Sequence, residues 1–108
     1  PSGKLAFQPE QLRDLEGKVV LLHCVSQYPA PVASTNLMAM DTLRELGLPV
    51  GFSDHSSGIA LAIAAVARGA SVIEKHFTYD VNAAGPDHAA SLDAAGLKAM
   101  IMGIRDVE

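Results

Sequence analysis

The sequence of 108 residues holds one cysteine, Cys24, and no tryptophan. A single thiol excludes an intrachain disulfide and points to a reducing, cytoplasmic compartment. Basic residues are few: eight Lys and Arg stand against twelve Asp and Glu, a formal net charge of −4. They are scattered, which argues against a nucleic-acid-binding role. No apolar run approaches the roughly 18–20 residues a membrane span requires. The longest candidate covers residues 58–67, so no membrane partner is expected. The first residues show no basic-then-apolar leader pattern. Also missing are the glycine patterns of dinucleotide and phosphate loops, and the G-x-S-x-G turn of α/β-hydrolases. There is no internal repeat and no low-complexity tract.

What is present is a globular pattern, with 49% hydrophobic and 19% charged residues. Three short runs read as strands: residues 18–25 (KVVLLHCV), 49–54 (PVGFSD) and 71–77 (SVIEKHF). Each is rich in Val, Ile, Leu or Phe and becomes polar only at its C-terminal end, as strands buried on both faces do. Helical patterns lie between and after them. Residues 36–46 carry Leu37, Met40 and Leu43 on one stripe, with Gly47 as the stop. Residues 59–68 are almost all aliphatic and read as a nearly buried helix ended by Gly69. Leu97, Met100, Ile101 and Ile104 form the stripe of a last helix, with Ser91 as its N-cap and Asp93 in its first turn. Residues 10–15 read as the end of an earlier helix. Of the methionines, Met38, Met40, Met100 and Met102 fall at or beside helix-core positions.

Alternating β and α units of these lengths predict an α/β fold with a parallel sheet. Three strands are too few for a complete barrel or an open doubly wound sheet. Residues 1–108 therefore read as one partial domain, a contiguous piece of a longer catalytic domain. The start at Pro1 fits excision from a longer protein or loss of an initiator methionine.

Strand side chains alternate faces. Ser53 and His55 thus share a side, with Asp54 opposite; Glu74 and His76 share a side, with Lys75 opposite. If the two strands are parallel neighbours, both histidines converge near a carboxylate, a donor set suited to a divalent metal. A histidine at a strand end is equally an ordinary hydrogen-bonded structural residue. Cys24 reads as a small buried hydrophobe. Ser26 and Tyr28 follow the first strand, where a hydroxyl could meet a substrate or Tyr28-Pro29 could simply start a turn. Asp87 and His88 lie in the loop after the third strand, and a Gly-Pro turn at residues 85–86 leaves them unexplained. A hydrolase triad from Ser53, Asp54 and His55 fails, because adjacent strand residues face apart. The basic residues Lys4, Arg13, Lys18, Arg44, Arg68, Lys75, Lys98 and Arg105 fall in the N-terminal tail, on helices, at the start of a strand or out of phase with the histidines.

The segments HCVSQYPAP (residues 23–31), the Asn36-Leu37 helix start, VGFSDHS (50–56), VIEKHF (72–77) and GPDHAASL (85–92) occur in this order. Together they resemble the sialic acid synthase family, from about Val19 to the C-terminus. One departure is Val25-Ser26-Gln27, where many relatives have Thr-Asn or Ser-Asn after the cysteine. The resemblance implies a (β/α)8 TIM barrel, with this chain supplying about strands six to eight. It implies metal-dependent condensation of phosphoenolpyruvate with an N-acyl hexosamine, such as N-acetylmannosamine, to a nine-carbon 2-keto sugar acid with release of phosphate. His55 and His76 match the metal ligands for Mn2+ or Mg2+. Glu74 and His76 match catalytic positions; Ser26, Tyr28 and Ser53 match contacts to phosphoenolpyruvate, and Asp87 a contact to the sugar. A homodimer is implied for the full-length protein. The early-strand carboxylate and lysines that the family uses are absent here, so the isolated segment is expected to be inactive. Two alternatives remain at this level: a non-catalytic interaction module that retains the motifs, or another metal-dependent (β/α)-barrel enzyme. The GPDH loop favours the synthase over the latter.

Overall fold

Apolar side chains that alternate along short β-prone runs need a partner layer, and the helices between those runs supply it. In the computed structural model, residues 9–108 are described; Pro1 and Lys4 lie outside them. A short 310 helix, Pro9–Leu15, comes first, where the sequence suggested the end of an α-helix. It is followed by β1 (Leu21–Cys24), α1 (Ala39–Arg44), β2 (Val50–Asp54), α2 (Ala60–Ala67), β3 (Ile73–Lys75) and α3 (Ala94–Val107). The fold is α/β, and the three strands form a parallel sheet in the order β1-β2-β3. Leu22 lies opposite Gly51 and Cys24 opposite Ser53, while Ser53 lies opposite Glu74 and Asp54 opposite Lys75.

The elements are shorter than their apolar patterns. Only β2 is buried along its whole length; β1 and β3 alternate between half-buried and exposed. Burial on both faces was expected of all three. It fails for β1 and β3 because each has a strand on one side only, and helices cover one face alone. The helix-side core joins Val50 and Phe52 of β2 to Met40 of α1 and Ala65 of α2, with Leu21, Leu43 and Ile73 against them. Burying a side chain such as Phe52 stabilises the fold by about 1.5–3 kcal/mol. A second cluster seats α3 on α2 through Ala62, Leu92 and Met100. A side-chain carbon at Gly103 would run into Ile63, so the two helices approach closely there. On α2 only Ala62 and Ala65 are fully buried, so this helix is less enclosed than its composition suggests. Met40 and Met100 are core residues, whereas Met38 and Met102 are exposed.

Local signals set the element ends, with two corrections. Asn36 takes a left-handed backbone (φ 47°), which delays α1 to Ala39. At α3 the cap is Asp93, whose Oδ1 accepts from the Gly96 N–H at 2.8 Å, and not Ser91. Ser91 is engaged elsewhere: its hydroxyl donates to the Asp87 carbonyl at 2.5 Å. The positive-φ Gly47 and Gly69 follow α1 and α2. Among the described residues, no helix is long and apolar enough to cross a membrane.

On the surface, Asp41 of α1 pairs with Arg44 at 2.5 Å and with Arg68, just past α2, at 2.8 Å. Arg44 also donates to the Arg68 carbonyl, tying the two helix ends together. These guanidinium groups, Arg68 foremost, hold the Asp41 carboxyl below its ordinary range against the opposing effect of desolvation. A folded-state pKa below the unfolded one stabilises the fold above the unfolded value, about 3.9, and loses that contribution as pH falls through the folded value. Asp41→Asn should therefore melt below the parent at pH 7, with the difference vanishing in acid. Melting curves across that range check this; a difference that stays constant with pH would show that the pairs do not act in solution.

Candidate functional site

The face of the sheet away from the helices carries Ser53 and Glu74 and leads to the two histidines. Pleating sends Leu22 and Cys24 of β1, Gly51 and Ser53 of β2, and Glu74 of β3 to that side. Near the start of the strands this face is apolar. A side-chain carbon at Gly51 would collide with Leu22 and with both backbone and side chain of Val72, so only glycine fits between them. Further along, Ser53 Oγ donates to Glu74 Oε1 at 2.6 Å. Past the strand ends, the His55 and His76 rings meet edge-on with centroids 5.6 Å apart. The convergence expected from strand phase is present.

Tyr28 completes this group. Its ring stacks on His76 at 4.4 Å and meets His55 edge-on at 5.3 Å. Its hydroxyl lies 3.2 Å from Ser91 Oγ, which it joins as donor because the serine hydroxyl is already given to the Asp87 carbonyl. The loop after β1 and the loop after β3 are thus joined above His76. The cis peptide bond between Tyr28 and Pro29 and the Ala30 N–H to His55 carbonyl bond at 2.8 Å shape the first of these loops.

Two expected residues stand apart. Ser26 is exposed, and no hydrogen bond is formed by its hydroxyl among the described residues. Asp87 is exposed too; its main chain is held by Ser91, while its carboxylate has no partner among the described residues. The neighbouring His88 has a structural place: its Nδ1 lies 2.6 Å from Oγ1 of the buried Thr78, and its ring packs against Tyr79. His23 is structural as well. Its Nε2–H donates to the Thr35 carbonyl at 2.6 Å, and its ring stacks on Phe52 in the helix-side core.

Cys24 corrects the sequence reading. It is exposed, with Sγ 3.7 Å and 3.8 Å from the two ring nitrogens of His55. The reason is its phase: alternate residues of β1 face the helices, and Cys24 is on the other parity, beside Ser53. Period-two counting from His23 would have placed it there, had the apolar character of the run not dominated the reading.

Among the described residues, no three of His, Cys, Asp and Glu gather closely enough to enclose a metal ion. The two imidazoles nevertheless suit a cation with open positions. The His76 ring forms no hydrogen bond among the described residues, its carbonyl alone accepting from the Leu92 N–H, and the polar neighbours of the His55 ring are Ser53 Oγ at 3.5 Å and the Cys24 thiol. Unlike His23, neither spends a ring nitrogen on a backbone carbonyl. Imidazole nitrogens suit divalent transition metals, and carboxylate or water oxygens suit Mg2+ and Mn2+.

A parallel βα array that collects histidines, a carboxylate and hydroxyls at its strand C-terminal ends is built as α/β enzymes build their sites. The chain belongs to the NeuB family, whose model matches residues 7–108. It is 50% identical over 102 residues to the N,N'-diacetyllegionaminic acid synthase of Legionella pneumophila, covering 94% of this chain and 29% of that protein. Among solved structures it resembles the N-acetylneuraminic acid synthetase of Leptospira borgpetersenii, crystallised with citrate (TM-score 0.77, 40% identity, 82% of this chain and 31% of that one). It also resembles the spore coat polysaccharide biosynthesis protein spsE of Bacillus subtilis (TM-score 0.76, 43% identity, 82% of this chain and 25% of that one). The kinship with sialic acid synthases read from the motifs holds. The chain spans less than a third of the length of these relatives.

The exposure of Cys24 has a direct consequence. In the folded 108-residue chain, a thiol reagent should modify it at a rate comparable with that in denaturant. Protection that is lifted only by unfolding would place the thiol in the core after all.

Proposed function

We propose that this chain carries the cation-binding side of a sugar-acid synthase. The complete protein condenses phosphoenolpyruvate with an N-acyl hexosamine to a nine-carbon 2-keto sugar acid and releases phosphate. The observation that carries this reading is the approach of His55 to His76, with the Ser53–Glu74 hydrogen bond two residues upstream on the same face, in a NeuB-family chain. The three strands are then about the sixth to eighth of a (β/α)8 barrel, in which sites open at the C-terminal strand ends. The complete protein is read as a cytoplasmic homodimer.

His55 and His76 hold Mn2+ or Mg2+ in this scheme. When bound, the cation supplies Lewis acidity toward the aldehyde oxygen of the open-chain sugar. Tyr28 covers one face of the His76 ring and keeps water from it. Ser53 occupies Oε1 of Glu74, which leaves Oε2 to accept a hydrogen bond from a sugar hydroxyl or a water. Ser26 offers a free hydroxyl to phosphoenolpyruvate, Tyr28 and Ser53 turn theirs to it on leaving Ser91 and Glu74, and Asp87 accepts from sugar hydroxyls. The phosphate and carboxylate of phosphoenolpyruvate need cationic or multiple backbone donors. Lys75 is taken by Asp54, Arg44 and Arg68 by Asp41, and Arg105 by Glu108. Arg13 and Lys98 lie on helices and Lys18 ahead of β1, so the anion-binding groups are assigned to the remainder of the protein.

In the complete protein, His55→Ala or His76→Ala should lower kcat/KM by at least about 100-fold while the circular-dichroism spectrum is kept. Either variant retaining activity within a few fold at limiting Mn2+ would remove that residue from the cation site. A separate arm concerns the sugar. Asp87→Asn weakens a charge-assisted acceptor, so steady-state kinetics should show KM rising for the acyl sugar more than for phosphoenolpyruvate; the reverse order would take Asp87 out of the sugar site.

A further inference from the structure

Behind the two histidines, on the helix side of the sheet, lies a closed polar triangle that the proposed chemistry does not use. Lys75 Nζ is 3.2 Å from Asp54 Oδ2 and donates to the Ser56 carbonyl at 2.6 Å. Asp54 Oδ1 accepts from the Ser56 N–H at 2.9 Å and from the Ser56 hydroxyl at 2.5 Å. The Asp54 side chain is 0% exposed and that of Lys75 4%. Each hydrogen-bonding atom of the ion pair thus has a protein partner in a space nearly closed to water.

The sequence positions of these three residues give the triangle its meaning. Asp54 and Ser56 flank His55, and the bonds between them close a turn around it. Lys75 precedes His76. The ion pair therefore clips the backbone on either side of one imidazole to the backbone next to the other, across the β2–β3 pairing. Alternation in the pleat turns Asp54 and Lys75 inward and leaves both histidines on the open face. A neutral, apolar pair could fill this space without two desolvated charges, but it could not bond to both sides of the His55 turn. We propose that Asp54 and Lys75, joined through Ser56, are positioning residues that set the separation and orientation of His55 and His76.

The inference rests on the cation-site reading only for its functional consequence; the geometric claim stands apart from it. The test uses the complete protein carrying Asp54→Asn together with Lys75→Met, which removes both charges and strands neither. Free Mn2+ is counted by electron paramagnetic resonance, and imidazole coordination is read from 14N couplings to bound Mn2+. In the metal-free protein, ring-to-ring nuclear Overhauser effects report the Tyr28–His76 and His55–His76 contacts. The double variant should bind Mn2+ at least about tenfold more weakly, lose an imidazole coupling, and lose or weaken those ring contacts. Parent-like affinity, couplings and ring contacts would overturn the proposal and leave the pair a purely structural one. If the parent itself takes up no Mn2+, the cation reading fails, and the ring contacts alone decide for or against the positioning role. Should the double variant not fold, Ser56→Ala takes its place. It removes one hydrogen bond from the His55 turn, and about threefold weaker Mn2+ binding with altered His55 ring contacts is expected. Unchanged affinity and contacts in that variant would count against the proposal.

Discussion

The pleat of three registered parallel strands is the constraint on which the rest of this structure depends. With Cys24 opposite Ser53 and Ser53 opposite Glu74, one parity of every strand faces away from the helices and the other faces into them. Val50, Phe52 and Ile73 pack the core from one parity; Ser53, Glu74 and the histidines beyond the strand ends use the other. A slip of one residue in β2 would turn Phe52 out of the core, and one in β3 would turn Glu74 into it. The core holds the register, and the register assembles the polar face.

Charge is placed in two different ways. Asp41, Arg44 and Arg68 lie at the surface, where water screens each pair and the gain lies in tying the ends of two helices together. Asp54 and Lys75 are buried, and removing such ions from water costs several kcal/mol each before their attraction and hydrogen bonds offset it. That cost is offset here by hydrogen bonds: Ser56 holds one carboxylate oxygen of Asp54, and Lys75 bridges the other to the Ser56 carbonyl. The buried pair gives the sheet a fixed point at the strand ends from which the histidines project.

Much of this could be read without coordinates. Strand runs ending in polar residues, the glycine stops after α1 and α2, and the phase of Ser53 with His55 and of Glu74 with His76 all follow from period and local backbone preference. Each departure has its own physical cause. Cys24 reads as a core residue because its run is apolar, but its parity on an edge strand exposes it. Ser91 looked like the cap of α3, but its hydroxyl is drawn to the Asp87 carbonyl and Tyr28, and Asp93 caps instead. Asn36 shortened α1 through a left-handed backbone that no periodic count reveals.

The α/β order, the parallel arrangement, the family kinship and which side chains share a face of each strand are legible in the chain alone, because these depend on neighbours a few positions apart. Which faces meet depends on the folded sheet. Cys24 touches His55 across 31 positions, and Tyr28 reaches Ser91 across 63. The closing of the Asp54–Ser56–Lys75 triangle likewise required two strands to lie in register. Such contacts arise from packing of the whole sheet against its helices, a balance of many small terms that no local window of the chain contains.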